Sequence, residues 1–287
     1  MLYFGYGSNL HRADFARWCR ERGHRTDAVR ALGPAFLPDA EPVFHYRSKA
    51  RGGGAMSVRE RPGHAVPGVL FEVDEEGWGA LDRKEGRPRY YERVRKIVLT
   101  ADGEERSATT YEVTPPHRRA HHVPPTEHYA RLVTEGLAAH GLPHHQARAA
   151  ARGFSLPSLP EGVFVYGTLM RGERAHARIR RHGPRRITRA RTAGRLVSFG
   201  GYPGMLACEA GGAVHGELVS FEDAADALAE LDPFEDFYGY GAHGSEYRRV
   251  VVEVATEDGR RALAWAYRYV AETDGAPPIP HGDWRRR

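Results

Sequence analysis

Leu2-Tyr3-Phe4-Gly5-Tyr6-Gly7-Ser8-Asn9-Leu10 starts as an aromatic and aliphatic run and breaks into Gly-Ser-Asn. A buried strand that ends in a tight loop has this composition. Glycine permits backbone angles and close approaches that a Cβ would block, and Ser and Asn bond to nearby backbone in turns and caps. His11 to Arg22 then places Leu10, Phe15 and Trp18 on one helical face, so the element reads strand, loop, helix. Such a loop aims backbone N–H groups at one spot and can hold an anion. The element returns as Val163-Phe164-Val165-Tyr166-Gly167-Thr168-Leu169-Met170. The chain is a repeat.

The rest of the chain follows that register. Ala31 to Ala40 is rich in Pro and Gly and reads as loop; the glycine triplet Gly52-Gly53-Gly54 before a strand signals backbone packed against a strand or a ligand. Arg61-Pro62-Gly63 reads as a turn into the strand Val66 to Val73, after which Asp74 caps a short helix, Glu75 to Leu81. A hairpin turns on Asp102-Gly103 between a strand from Tyr91 and another ending at Val113, and Glu127 to Leu142 reads as a helix. In the second half Gly216 matches Gly68, Leu231-Asp232 matches Leu81-Asp82, and Asp258-Gly259 matches Asp102-Gly103. The interval from Tyr91 to Gly103 equals that from Tyr247 to Gly259, and Gly103 to Tyr111 equals Gly259 to Tyr267. These intervals give two copies of one α+β domain, residues 1–152 and 161–287, joined by a proline-bearing linker at 153–160.

At 287 residues, 41% hydrophobic and 28% charged, the chain suits two globular cores. No apolar run approaches spanning length and no basic region precedes an apolar signal core, so a soluble, cytoplasmic protein with no membrane partner is expected. Cys19 and Cys208, one per copy, are expected to be thiols and not a disulfide. The net charge is +5, and all but three of the 42 basic residues are arginine. Nucleic-acid binding would want those charges clustered with aromatics; the dense groups Arg180-Arg181, Arg185-Arg186 and Arg285-Arg286-Arg287 read instead as solvated surface. His117, His121, His122 and His128 match no zinc spacing and read as a surface loop.

Each copy carries a lone glutamate after Leu-Asp-x-x: Glu85 and Glu235. Leu81 and Leu231 point into their cores, and the glutamate one turn later lies near the same face with its carboxylate directed inward. A buried carboxylate is costly and its pKa rises toward the range of proton exchange. Arg83, Lys84 and Arg87 would lower the pKa of Glu85, whereas Asp236 would raise that of Glu235. A dinucleotide fingerprint lacks its third glycine, a Gly-Lys-Thr phosphate loop is absent, and no Ser-His-Asp set recurs.

At these residues the chain resembles the γ-glutamylcyclotransferase superfamily in two tandem copies. Phe4 to Leu10, Gly53-Gly54-Ala55-Met56, Leu81-Asp82-Arg83-Lys84-Glu85-Gly86 and Gly141-Leu142-Pro143 look like the γ-glutamylcyclotransferase branch. Val165 to Gly172, Leu231-Asp232-Pro233-Phe234-Glu235 and Gly282-Asp283-Trp284 look like the γ-glutamylamine cyclotransferase (AIG2-like) branch. The resemblance implies a small mixed β-barrel with flanking helices in each copy, and cleavage of a γ-glutamyl amine, amino acid or peptide with release of 5-oxoproline. It implies Glu85 and Glu235 as acid–base residues and no cofactor or metal. The substrate would be held by Tyr6, Gly7, Ser8, Asn9, Leu10 and Tyr91 in the first copy, and by Tyr166, Gly167, Thr168 and Leu169 in the second. A non-catalytic protein that uses the same barrel to hold an acidic ligand is the alternative; oligomeric state and the leaving amine have no sequence signal.

Overall fold

The computed structural model describes residues 1–207 and 211–287. Cys208 lies outside the described residues; Cys19 is a buried free thiol. Two compact units form, Met1–Ala101 with Glu105–Pro157, and Ser158–Arg287 with Asp102–Glu104.

The first unit runs β1 (Leu2–Gly5), α1 (Arg12–Glu21), β2 (Val29–Ser48), β3 (Gly53–Val73), α2 (Glu75–Glu85), β4 (Tyr91–Thr100), β5 (Glu105–Val113), α3 (Glu127–Ala139) and α4 (His145–Ala151). The strands close in the order β1-β3-β2-β4-β5, all neighbours antiparallel except β5 and β1, which meet in parallel at Tyr3 and Thr109. The second unit runs β6 (Val163–Val165), α5 (His176–Arg180), β7 (Arg186–Ala193), β8 (Arg195–Ser198), β9 (Pro203–Leu206), β10 (Ala213–Ser220), α6 (Ala225–Phe234), β11 (Tyr247–Thr256) and β12 (Arg261–Tyr269). It closes as β6-β10-β7-β11-β12, again with one parallel contact, Val163 beside Trp265. Each unit is thus a small mixed barrel with flanking helices. Phe4, Phe71 and Leu81 fill the first core, and Phe164, Leu231 and Trp265 fill the second.

Three elements differ from the sequence reading. Ala31 to Ala40 is strand, not loop, because β2 continues from Val29 to Ser48 along β3. Its prolines are tolerated because, among the described residues, β2 meets β4 at Ala35 and Phe36 alone; a largely unpaired edge can lack N–H donors. Arg61-Pro62-Gly63 is a bulge inside β3, with the Gly63 N–H donating to Asp39 Oδ1 at 2.9 Å and pairing resuming at Ala65. The helix expected from Glu127 to Leu142 stops at Ala139, and α4 follows it. In the glycine triplet, Gly53 and Gly54 begin β3 and pair with Ser48 and Arg47 of β2, as the strand reading expects, and their other face abuts a loop. Gly54 bonds to Pro124 O at 2.8 Å, and a Cβ there would stand 1.9 Å from Val123 O, so the Val123–Thr126 loop is what it abuts.

Asp74 caps α2 by accepting from the Gly77 N–H at 2.8 Å, and Gly86 ends it in the left-handed region. The helix is therefore longer than expected and carries Glu85 as its last residue. In the second unit α6 ends at Phe234, and Glu235 is its cap.

Because each unit closes its own barrel, cutting between Pro157 and Ser158 should give two pieces that are each soluble and cooperatively folded. Circular dichroism and thermal melting of residues 1–157 and 158–287 expressed separately would check this; pieces that fold only when mixed would show a shared core.

Candidate active sites

In the first unit the chain leaves β1 through Tyr6 and Gly7 into a single 3-10 turn, Ser8–Leu10. Within it Leu10 N–H donates to Gly7 O (3.1 Å) and His11 N–H to Ser8 O (3.2 Å). The first amides of such a turn have no internal acceptor, and those of Ser8 and Asn9 have no partner among the described residues. The second unit repeats this: Met170 N–H donates to Gly167 O at 3.0 Å, and the amides of Thr168 and Leu169 are left over.

Glu85 lies across from this turn, its Oε1 accepting from Asn9 Nδ2 at 2.7 Å; the same Nδ2 donates to the Tyr3 hydroxyl at 3.0 Å. Burial raises the pKa of Glu85, opposed by Lys84, by the Asn9 donor and by Arg51. Lys84 thus acts on Glu85 in the expected direction, but burial wins, and Arg87 turns away to pair with Asp82 at 3.1 Å. Glu235 has no such opposition: burial, helped by Asp236, pushes it up to about 8. Each glutamate lines a cleft, of about 330 Å³ in the first unit and about 310 Å³ in the second.

Ser8 and Tyr91 stand on the first cleft wall, and Tyr166, Gly167, Thr168 and Leu169 on the second. Asn9 touches the cleft through Glu85. Leu10 does not reach it: the side chain is fully buried against Gly136 of α3, and its amide is spent inside the turn. Tyr6 serves as a bolt, its hydroxyl donating to Tyr111 O at 2.5 Å, just as Tyr166 donates to Tyr267 O at 2.7 Å. Gly7 is not sterically required, since a Cβ there would meet nothing nearer than the Tyr129 hydroxyl at 3.8 Å; at Gly167 a Cβ would stand 2.6 Å from Pro203.

The sequence reading missed a second layer that both units share. Asp82, one turn before Glu85, accepts from the Tyr111 hydroxyl (2.7 Å) and from Arg93 Nε (2.8 Å). Asp232 accepts from the Tyr267 hydroxyl (2.6 Å) and from Arg249 (2.9 Å). The signal was present: Asp, Arg and Tyr recur at matching places in both copies. Arg51 and Tyr129 were also missed. Arg51 donates to Ser8 Oγ at 3.1 Å and lies over the Tyr129 ring, and both residues line the first cleft.

The family model described as gamma-glutamyl cyclotransferase, AIG2-like, matches residues 3–131 and again 163–286. A bovine gamma-glutamylcyclotransferase is 30% identical over 148 residues, half of this chain and 72% of that protein. A gamma-L-glutamyl-butirosin B gamma-glutamyl cyclotransferase of Niallia circulans is 32% identical over 128 residues, 43% of this chain and 75% of that one. Among solved structures, a gamma-glutamyl cyclotransferase superposes with a TM-score of 0.45 at 23% identity, covering 54% of this chain and 88% of its own. No helix among the described residues is long and apolar enough to cross a membrane.

The ionisation of Glu235 should appear in stability. Its ordinary value is 4.5, so between about pH 4.5 and 8 the folded unit holds a proton that the unfolded chain has released. Its contribution is fully present below 4.5 and is lost as pH rises through 8, at no more than about 1.4 kcal/mol per pH unit. Melts of wild type and Glu235→Gln across this range should show the variant without that slope; equal slopes would contradict the assignment.

Proposed function

The chain belongs to the AIG2-like gamma-glutamyl cyclotransferase family, and from that premise we propose that each unit cyclises a γ-glutamyl group, releasing 5-oxoproline and a free amine. The observation that carries this reading is the recurrence, in two clefts, of a glutamate with raised pKa beside a turn with two free amides. The substrate brings its own nucleophile. Its α-amine attacks the γ-carbonyl carbon, a five-membered ring forms, and the bond from that carbon to the leaving nitrogen breaks. Intramolecular attack of this kind gains chiefly from orientation. The amides of Ser8 and Asn9, or of Thr168 and Leu169, hold the α-carboxylate. Glu85 or Glu235 takes the proton from the substrate ammonium and returns it to the leaving amine, so no proton is gained or lost overall. Its raised pKa suits both halves of that exchange. The substrate class is a γ-glutamyl amine, amino acid or peptide, and the relative named for γ-L-glutamyl-butirosin B supports conjugates of larger amines within it.

Glu85→Gln and Glu235→Gln should each lower 5-oxoproline release at their own site by about 10²- to 10⁴-fold, and the double variant should be inactive. A double variant with wild-type turnover would sink the mechanism and leave a binding protein. The single variants also separate the pH profiles. A base acts ionised, so with Glu85→Gln the remaining activity should rise with pH through about 8, following Glu235. With Glu235→Gln the limb should lie at lower pH, because Lys84, Asn9 and Arg51 all favour the ionised form of Glu85. Identical limbs would contradict this.

Amidating the α-carboxylate leaves amine and γ-carbonyl intact but removes the charge that the turn amides hold. Charge-assisted hydrogen bonds contribute roughly 1.5–3 kcal/mol each, so kcat/KM should fall at least about tenfold. A substrate that reacts as fast amidated as acid would show that the turn does not bind the carboxylate.

A further inference from the structure

The turn of the second unit is held from behind by residues that the proposed reaction does not use. Of its four successive amides, those of Thr168 and Leu169 are left over, and that of Met170 closes the turn on Gly167 O. The fourth, the Arg171 N–H, donates to Glu217 Oε2 at 2.9 Å. Glu217 belongs to β10 and stands across from Val165 of β6, the strand that leads into the turn. Its side chain is only 7% exposed. In the first unit Val69 has the same place, across from Gly5 of β1. The second copy thus carries a carboxylate where the first carries an aliphatic side chain, and a buried carboxylate is unfavourable unless it is paired and hydrogen-bonded.

Arg285 supplies the pairing. By sequence it reads as solvated surface, yet its Nη2 donates to Glu217 Oε1 at 2.9 Å and to Arg171 O at 3.0 Å. One guanidinium therefore holds both the carboxylate and the turn residue that the carboxylate holds. Its neighbours fix it in place. Trp284 is buried, with Nε1 donating to Glu173 Oε2 at 3.3 Å, and Arg287 lies over the Trp284 ring with Glu173 Oε1 3.6 Å away. Glu173 is itself tied to the turn, its N–H donating to Met170 O at 3.1 Å. In the first unit α3 stands in the matching place: Gly136 lies against Leu10 and the His11 amide, and Glu135 faces His11 Nε2 at 3.3 Å. Both braces come from chain that follows the barrel, and the described residues of the second unit include no α-helix after β12.

We infer that Arg285, acting through Glu217, is a positioning residue that fixes the second turn so that the Thr168 and Leu169 amides converge on the substrate's α-carboxylate. The inference rests on the cyclisation reading. Arg171, Glu217 and Arg285 do not line the cleft, so they act through the turn and not on the reacting atoms. An N–H donated to an ionised acceptor is a stronger restraint than one donated to a carbonyl, which makes the Arg171 tie to Glu217 a firm one. Without Arg285 the carboxylate would be buried and short of its cation, and turning it toward water would take the acceptor away from the Arg171 amide. Donors ordered before the substrate arrives need no ordering when it binds, so the brace favours the glutamyl end specifically.

The experiment uses the full chain in the Glu85→Gln background, where the second unit alone should turn over. It compares γ-glutamyl-ethylamide with the same compound amidated at its α-carboxylate and reads the ratio of their kcat/KM values. Arg285→Met should lower kcat/KM for the acid at least about tenfold, mainly through KM, and leave the amidated compound nearly unchanged, so that the ratio falls toward one. Arg285→Lys keeps a cation and should recover part of the ratio. A residue that merely held the unit together would slow both compounds alike and leave the ratio as it was. Hydrogen exchange reads the same brace without substrate: in Arg285→Met the Arg171 amide should lose protection while the amides of β6 keep theirs. Should Arg285→Met fail to fold, Glu217→Val, which copies Val69 of the first unit, carries both measurements with the same expected outcome. An unchanged ratio, or unchanged protection at Arg171, in the folded variant overturns the inference. If the Glu85→Gln background releases no 5-oxoproline from either compound, the cyclisation reading fails first; exchange at Arg171 then still decides whether Arg285 braces the turn, so the two failures remain distinct.

Discussion

A hydrogen bond between a tyrosine of the last barrel strand and an aspartate one turn before the glutamate fixes the geometry of each unit. Tyr111 holds Asp82, and Tyr267 holds Asp232. Each of these tyrosines also receives, at its backbone carbonyl, the hydroxyl of the tyrosine that starts the turn, Tyr6 or Tyr166. One strand residue therefore anchors both halves of the cleft, the helix end with its glutamate and the turn with its amides. Placing an ionisable group in a partly dry cleft is unfavourable unless the surrounding frame prevents it from swinging out to water. The frame does so with hydrogen bonds to other groups; among the described residues, the Glu85 side chain itself accepts only from Asn9.

On this common frame the two units have diverged in what surrounds the acid. The first borrows side chains from outside the repeated elements. Arg51 comes from the tip of the long β2–β3 hairpin and Tyr129 from α3, an element that follows the barrel. The second keeps shorter strands there, β8 and β9, and its wall is completed by Tyr202, Pro203 and Glu246. Burial acts on both glutamates, but the neighbours add opposite signs: cations and an amide donor against the shift at Glu85, a carboxylate with it at Glu235. The neighbours, more than the fold, set the difference between the sites.

Much of this was legible in the residues. The repeat, the barrel strands around Gly68 and Gly216, and the inward glutamates followed from spacing, because period and interval survive tertiary packing. Ala31 to Ala40 did not, because Pro and Gly report local preference, whereas the strand there is imposed by pairing with β3. Lys84 acts on Glu85 in the direction expected of it, but its setting was not legible. Only the packing of α1, with Phe15 and Trp18, shows that its ammonium is enclosed. Leu10 was misplaced: it belongs to the turn by sequence but to the core by contact. The Asp–Tyr–Arg layer had a sequence signature, and contacts were needed to give it meaning.

The parallel contact that closes each barrel governs the order in which the chain can fold. β1 is the first element of its unit, yet it completes itself against β3 and then β5, with Tyr3 beside Thr109. The hairpins β2–β3, β4–β5, β8–β9 and β11–β12 form between neighbours in sequence, at low loop-closure cost; the parallel contact joins the first and last strands of a barrel. During synthesis β1 can pair with β3 once that strand has emerged, but its other edge stays open until β5 follows. β6 repeats the delay against β12 through Val163 and Trp265. Each barrel is consequently finished by its oldest strand, and the short segments at Leu2 and Val163 are where nascent chains of this protein are most exposed to mispairing.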